Sequence, residues 1–262
     1  MSRPPTSPLL TKLRRELARE GEPARAEGMQ AYMKSTMPFH GVSAPQLRAI
    51  CKRVFAEHPV SEAAEWRRDV LALWRGARFR EERYAAIELA RDRRARPFQT
   101  MDALPMYEEM IEDGAWWDLV DTIATHALSA ILVNEPKKMR RAMLSWSRDA
   151  DMWKRRSAIL CQLPFKSKTD LELLYACIEP SLERKEFFLR KAIGWALRSY
   201  AWTDPAEVVR FVRANEGRLS PLSVREALKN VDAAATSSPA RGAPRRSDAA
   251  GPRTPPRARR SR

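Results

Sequence analysis

Three short stretches, Asp121-Thr122-Ile123, Arg156-Ser157-Ala158-Ile159 and Lys191-Ala192-Ile193, recur at steps of 35 residues in a chain whose apolar pattern is helical. Apolar side chains return every three or four positions in Leu47–Phe55, Tyr84–Ala90, Leu119–Leu132, Ala158–Leu163, Leu171–Ile178, Ala192–Tyr200 and Val208–Val212, which is the period of one face of an α-helix. No segment alternates with the period of two that a half-buried strand needs. A helical unit that repeats cannot bury its apolar face alone and must stack on its neighbours.

The step is close to the ~40-residue length of a HEAT or armadillo unit. Helix starts are also written into the chain, because Ser43 before Ala44-Pro45, Asp204 before Pro205 and Ser220 before Pro221 each pair a capping side chain with a proline in the first turn. The 262 residues are enough for a sizeable core. The expectation is an all-α, HEAT-like helical-repeat solenoid of about 12–13 helices, roughly ten to sixteen residues each and mostly paired as antiparallel hairpins. It spans 1–231. The stretch 232–262 holds Ala, Ser, Pro, Gly and Arg with no apolar period, so it is expected to be a disordered basic tail.

Charge narrows the partners. The net charge is +15. The tail's eight arginines and two aspartates account for +6, so residues 1–231 keep +9. A basic folded body calls for a polyanion. No apolar run approaches the ~18 residues of a membrane helix, and the opening Met1-Ser2-Arg3-Pro4-Pro5 leads into charge rather than an apolar signal core. Cys51, Cys161 and Cys177 lie far apart and fit neither a disulfide framework nor zinc spacing. His40, His58 and His126 have no ligand-spaced partners. The chain therefore reads as cytoplasmic and nucleoid-associated, monomeric, with no metal, no cofactor and no membrane contact.

The densest unusual segment is Trp116-Trp117-Asp118-Leu119-Val120-Asp121. Trp117 and Asp121 are four apart and share a helix face, while Trp116 and Asp118 point elsewhere and are expected to pack or cap. Arg156 follows Trp153 and Lys154 in a second cluster. Lys191, Trp195 and Arg198 share a face in a third, mixing aromatic and cationic groups as nucleic-acid surfaces do. In the 35-residue register Asp121, Arg156 and Lys191 occupy equivalent places, so stacking would set them side by side on one concave wall with Trp117 and Trp195. The plainer readings stand beside this one: both tryptophans as core, and Asp121 in a structural salt bridge to Arg156.

A lone carboxylate in a cationic, tryptophan-lined groove has a chemical use. An alkylated purine with a positive ring is already a good leaving group, so excision needs no general acid. It needs stabilisation of the charge growing on the deoxyribose and a base for the attacking water. Asp121 can supply both, with Trp117 and Trp195 as walls.

Ala31-Tyr32-Met33-Lys34, Trp116–Asp121, Trp153–Leu160 and Lys185–Trp195 together resemble, in order and spacing over roughly residues 10–230, the HEAT-like-repeat DNA alkylation repair glycosylases of the bacterial AlkD type. The resemblance implies a solenoid that wraps duplex DNA and excises cationic N3- and N7-alkylated purines such as 3-methyladenine and 7-methylguanine, without metal and without flipping the base into a pocket, unlike most glycosylases. It makes Asp121 the catalytic aspartate, Trp117 and Trp195 its aromatic walls and Arg156 the cation beside them. Tyr32 and Arg198 match DNA-facing positions, and Lys154, Lys166 and Lys191 join them as expected DNA-binding cations. Gly41-Val42-Ser43-Ala44-Pro45 fits the family's Gly-x-x-x-Pro loop but holds small residues there. Two other readings are a non-catalytic helical-repeat scaffold and an RNA-binding solenoid.

Overall fold

The computed structural model describes residues 7–233, so most of the expected tail lies outside the described residues. Every regular element among them is helical. In chain order the α-helices are α1 (Pro8–Arg19), α2 (Pro23–Met33), α3 (Ala44–Glu57), α4 (Ala63–Arg75), α5 (Arg80–Ala90), α6 (Leu104–Gly114) and α7 (Trp117–Thr122). There follow α8 (Ser129–Asn134), α9 (Pro136–Trp146), α10 (Met152–Leu160), α11 (Leu171–Ile178), α12 (Phe187–Ala201), α13 (Pro205–Ala214) and α14 (Pro221–Leu228). Several are shorter than ten residues. α7 and α8 form one run, joined through the π-helical turn Ile123–Leu128.

The three sequence-marked starts are helix starts. Gln46 turns its side-chain oxygen back to the Ser43 N–H at 3.1 Å, Asp204 caps the Glu207 N–H at 3.0 Å, and Ser220 caps the Ser223 N–H at 3.0 Å. Each satisfies a donor that the first turn leaves without an intrahelical partner.

Packing follows from which face is apolar. α4 buries Trp66, Val70, Leu73 and Trp74, at the i, i+4, i+7, i+8 spacing of one stripe, and α1 buries Leu9, Leu10, Leu13 and Leu17. Each such side chain contributes about 1.5–3 kcal/mol on burial, and the buried residues form one cluster from Leu9 to Ala227. Helices α3, α5, α7, α10, α12 and α14 pack successively into one row, and α4 with α6 and α9 with α11 pack beside it. This is a helical-repeat all-α array. Its step is visible in the polar contacts between units, since Asn134 donates to the Gln99 carbonyl 35 residues back and Ser199 to the Leu163 carbonyl 36 back. No described helix is long and apolar enough to cross a membrane. The three cysteines are buried free thiols.

Candidate active site

The site is assembled at the start of α7. Ala115 takes the left-handed conformation that ends α6, and Trp116 is extended at the N-cap of α7, so the chain reverses and presents Trp117, Asp118 and Asp121 within one and a half turns. Asp118 is tied down. It accepts from Arg80 Nη2 at 2.7 Å and from Tyr84 Oη at 2.5 Å, which pins α7 to α5. Trp116 packs against the rings of Trp153 and Phe188, at centroid distances of 6.3 and 5.4 Å. Asp118 and Trp116 thus fill the supporting places the helical spacing implies.

Asp121 is 9% exposed and meets Arg156 in a two-pronged pair: Nε donates to Oδ1 and Nη2 to Oδ2, both at 2.7 Å. Arg156 Nη1 donates to the Phe188 carbonyl in the first turn of α12. One guanidinium therefore joins α7, α10 and α12. Burial pushes the Asp121 carboxyl above the usual aspartate range; the two bonds from Arg156 pull it down, and the like charge of Asp118 adds to the rise. Thr125 Oγ1 bonds back to the Asp121 carbonyl at 2.7 Å, and the π turn opens two residues after Asp121. Such single turns inside helices are frequent at functional sites.

Trp117 and Trp195 are both half-buried, each with part of its ring against the core. Trp117 borders a cleft of about 320 Å³ that also has Tyr32, Phe39, Leu47, Tyr84 and Ile87 in its walls. Tyr32, on α2, is 74% exposed, and α2 buries none of its side chains. Trp195 stands on α12, seven residues past Phe188 and so on the side of that helix that Arg156 reaches. The loop beneath the cleft is rigidly held: Glu81 accepts from the backbone N–H groups of His40, Gly41 and Val42 at 2.9, 2.9 and 3.1 Å. Gly41 has φ +86°, and a Cβ there would lie 2.0 Å from the Glu22 carbonyl oxygen, so only glycine fits.

The expected DNA-facing cations divide. Lys191 Nζ and Arg198 Nη1 both meet Glu226 of α14, at 3.0 and 2.6 Å. Glu226 was not singled out from the sequence, although it lies one more 35-residue step beyond Lys191. α12 and α14 come so close here that a Cβ on Gly194 would sit 2.5 Å from the Glu226 Cβ. Lys166 is exposed in the 3₁₀ stretch Leu163–Lys168, with φ +54°. Lys154 departs from expectation. It is 7% exposed, and its ammonium lies 2.6 Å from Glu108 and 2.7 Å from Asp149, with Glu112 at 3.4 Å. Three carboxylates from two other segments occupy it, which leaves it no part at an open surface. Among the described residues no group of three His, Cys, Asp or Glu side chains is placed to hold a metal ion.

Comparison with known proteins finds relatives of the whole helical array. A family model described as DNA alkylation repair enzyme matches residues 13–231. A solved structure described as a predicted DNA alkylation repair enzyme from Enterococcus faecalis superimposes with a TM-score of 0.73 at 29% identity, covering 80% of this chain and 96% of the other. No curated protein matches.

Proposed function

The chain belongs to the family of DNA alkylation repair enzymes, and on that footing we propose that it is a monofunctional DNA glycosylase that hydrolyses the N-glycosidic bond of cationic N3- and N7-alkylated purines in duplex DNA. The observation that carries this reading is the Asp121 carboxylate, oriented by Arg156 one turn after Trp117.

Cleavage of the bond sends its electron pair into the alkylated ring, which leaves as a neutral base, while positive charge develops on the deoxyribose. A carboxylate close to that sugar stabilises the charge, and a low-dielectric setting strengthens the effect. Water then adds to the sugar and must give up a proton. Asp121 has about four lone-pair sites on its two oxygens, and Arg156 uses two of them, so acceptor capacity remains for the attacking water. The raised carboxyl also makes Asp121 a better base than an exposed aspartate. Trp117 and Trp195 would hold sugar and backbone against it. Tyr32, Lys166, Lys191 and Arg198 would contact DNA, and the alkylated base would be cut without entering an enclosed pocket.

Incubating the protein with methylated duplex DNA and measuring free 7-methylguanine and 3-methyladenine tests the reading. Release of both bases with intact phosphodiester strands is the expected result. Tight binding without base release would leave a repair scaffold in its place.

A further inference from the structure

The cleft beside Trp117 holds a carboxylate that the excision chemistry does not use. Four aromatic side chains border it, Tyr32 from α2, Phe39 from the loop before α3, Tyr84 from α5 and Trp117 from α7, around a volume of about 320 Å³. Phe39 and Tyr84 meet at one corner, with ring centroids 6.3 Å apart. The polar rim is Arg48, Glu88, Asp118 and Thr122. Asp118 is committed, since Arg80 and Tyr84 each donate to one of its oxygens. Glu88 is not. It lies one turn after Tyr84 on the same face of α5, and its side chain is 21% exposed. Its one ion pair among the described residues is with Arg91 at 3.6 Å, too long for a hydrogen bond. Arg48, across the rim, is exposed and forms no ion pair among the described residues.

These groups select among ligands. An anion would face the carboxylates of Glu88 and Asp118. An aliphatic molecule would cover Glu88 and leave a desolvated charge without a partner, which is costly. A flat, neutral, aromatic ligand with N–H donors along one edge meets both demands: its faces stack on the rings, and two parallel N–H groups can meet the two carboxylate oxygens as charge-assisted bonds. Guanine carries such an edge in its N1–H and 2-amino groups, whereas adenine offers only its 6-amino donor. Arg48 adds a donor for O6, the guanine oxygen that arginine commonly meets. The volume is at the small end of ligand sites, which suits a single base.

We propose that the cleft is a product site, which takes up the free N7-alkylguanine after excision, stacks it among Phe39, Tyr84 and Trp117 and holds its donor edge on Glu88. The proposal rests on the glycosylase reading of the adjoining site, which shares Trp117 with the cleft. A base stacked on Trp117 occupies a wall that the next lesion needs, so the free base inhibits further excision.

The test is equilibrium dialysis of the full chain against free 7-methylguanine, with free 3-methyladenine beside it. The parent chain should bind 7-methylguanine saturably at one site, and more tightly than 3-methyladenine. Glu88→Gln keeps the size of the side chain and removes its charge, and should weaken 7-methylguanine about tenfold or more, the scale of losing hydrogen bonds to a charged group, with little change for 3-methyladenine. Ala44→Phe, at an exposed position on the cleft wall, should fill the space and weaken both bases. Absence of saturable binding by the parent chain overturns the proposal, and so does equal affinity of the parent and Glu88→Gln for 7-methylguanine. The assay contains no DNA, so it stands apart from base release. Binding of the free base by a chain that releases none from methylated duplex would remove the glycosylase reading and, with it, the role as a product site; base release without binding would keep that reading and overturn this one.

Discussion

Asp121 and Arg156, 35 residues apart, are joined by two parallel N–H···O bonds of 2.7 Å. Because the guanidinium fork matches a carboxylate in one plane, the pair fixes the direction of the carboxylate. The third bond, to the Phe188 carbonyl, carries the same register to α12 and therefore to Trp195. A salt bridge and a catalytic orientation are thus compatible readings of one contact, and what separates them is chemistry.

Proton binding gives the first prediction. Burial raises the Asp121 carboxyl, with the charge of Asp118 adding and Arg156 opposing. A group raised in the folded state holds its proton to higher pH than in the unfolded chain. Its contribution to stability is therefore fully present below the unfolded pKa and is lost as pH rises through the folded one. Activity runs the other way, because the proposed chemistry needs the ionised form. Single-turnover base release measured against pH should show an acid limb above the ~3.9 of an ordinary aspartate. A limb at or below that value would assign the titration to another group.

The tryptophans should separate by role. Trp66 is wholly buried, and Trp66→Ala should cost about 3–5 kcal/mol in unfolding free energy. Trp117 and Trp195 are half-buried, so each alanine variant should cost less than Trp66→Ala while lowering single-turnover base release. Urea titrations of the three variants beside excision rates decide it. Equal destabilisation in all three would make Trp117 and Trp195 core residues.

Glu226 holds Lys191 and Arg198 together and would repel an approaching phosphate. Glu226→Gln should tighten binding to undamaged duplex and steepen its salt slope, by about 0.9 for each cation that gains a phosphate. Weaker binding would instead mean that Glu226 sets the geometry in which the two cations face DNA.

Much of this was legible in the chain, for identifiable reasons. Caps at Ser43, Asp204 and Ser220 are local chemistry, and three- and four-residue spacing is enough to mark helices. The 35-residue step placed Asp121 opposite Arg156 because stacked units superpose equivalent positions. One further step reaches Glu226, so that residue was within reach of the same argument. Lys154 was not. Its fate depends on Glu108, Glu112 and Asp149, which no periodicity links to it, so its place in the Trp153–Arg156 cluster suggested an open surface it does not have. The hold of Glu81 on three backbone amides and the π turn after Asp121 are tertiary facts of the same kind.

The most direct test compares 7-methylguanine release by the parent chain and by Asp121→Asn under single-turnover conditions, with duplex binding measured in parallel. The substitution keeps the size of the side chain and removes its charge. The expected result is near-parent DNA affinity with excision slower by about 10²–10³, the scale of losing one electrostatic contact to a developing charge. Near-parent release of 7-methylguanine by Asp121→Asn would contradict the assignment of Asp121 as the catalytic group and leave its pairing with Arg156 a structural salt bridge.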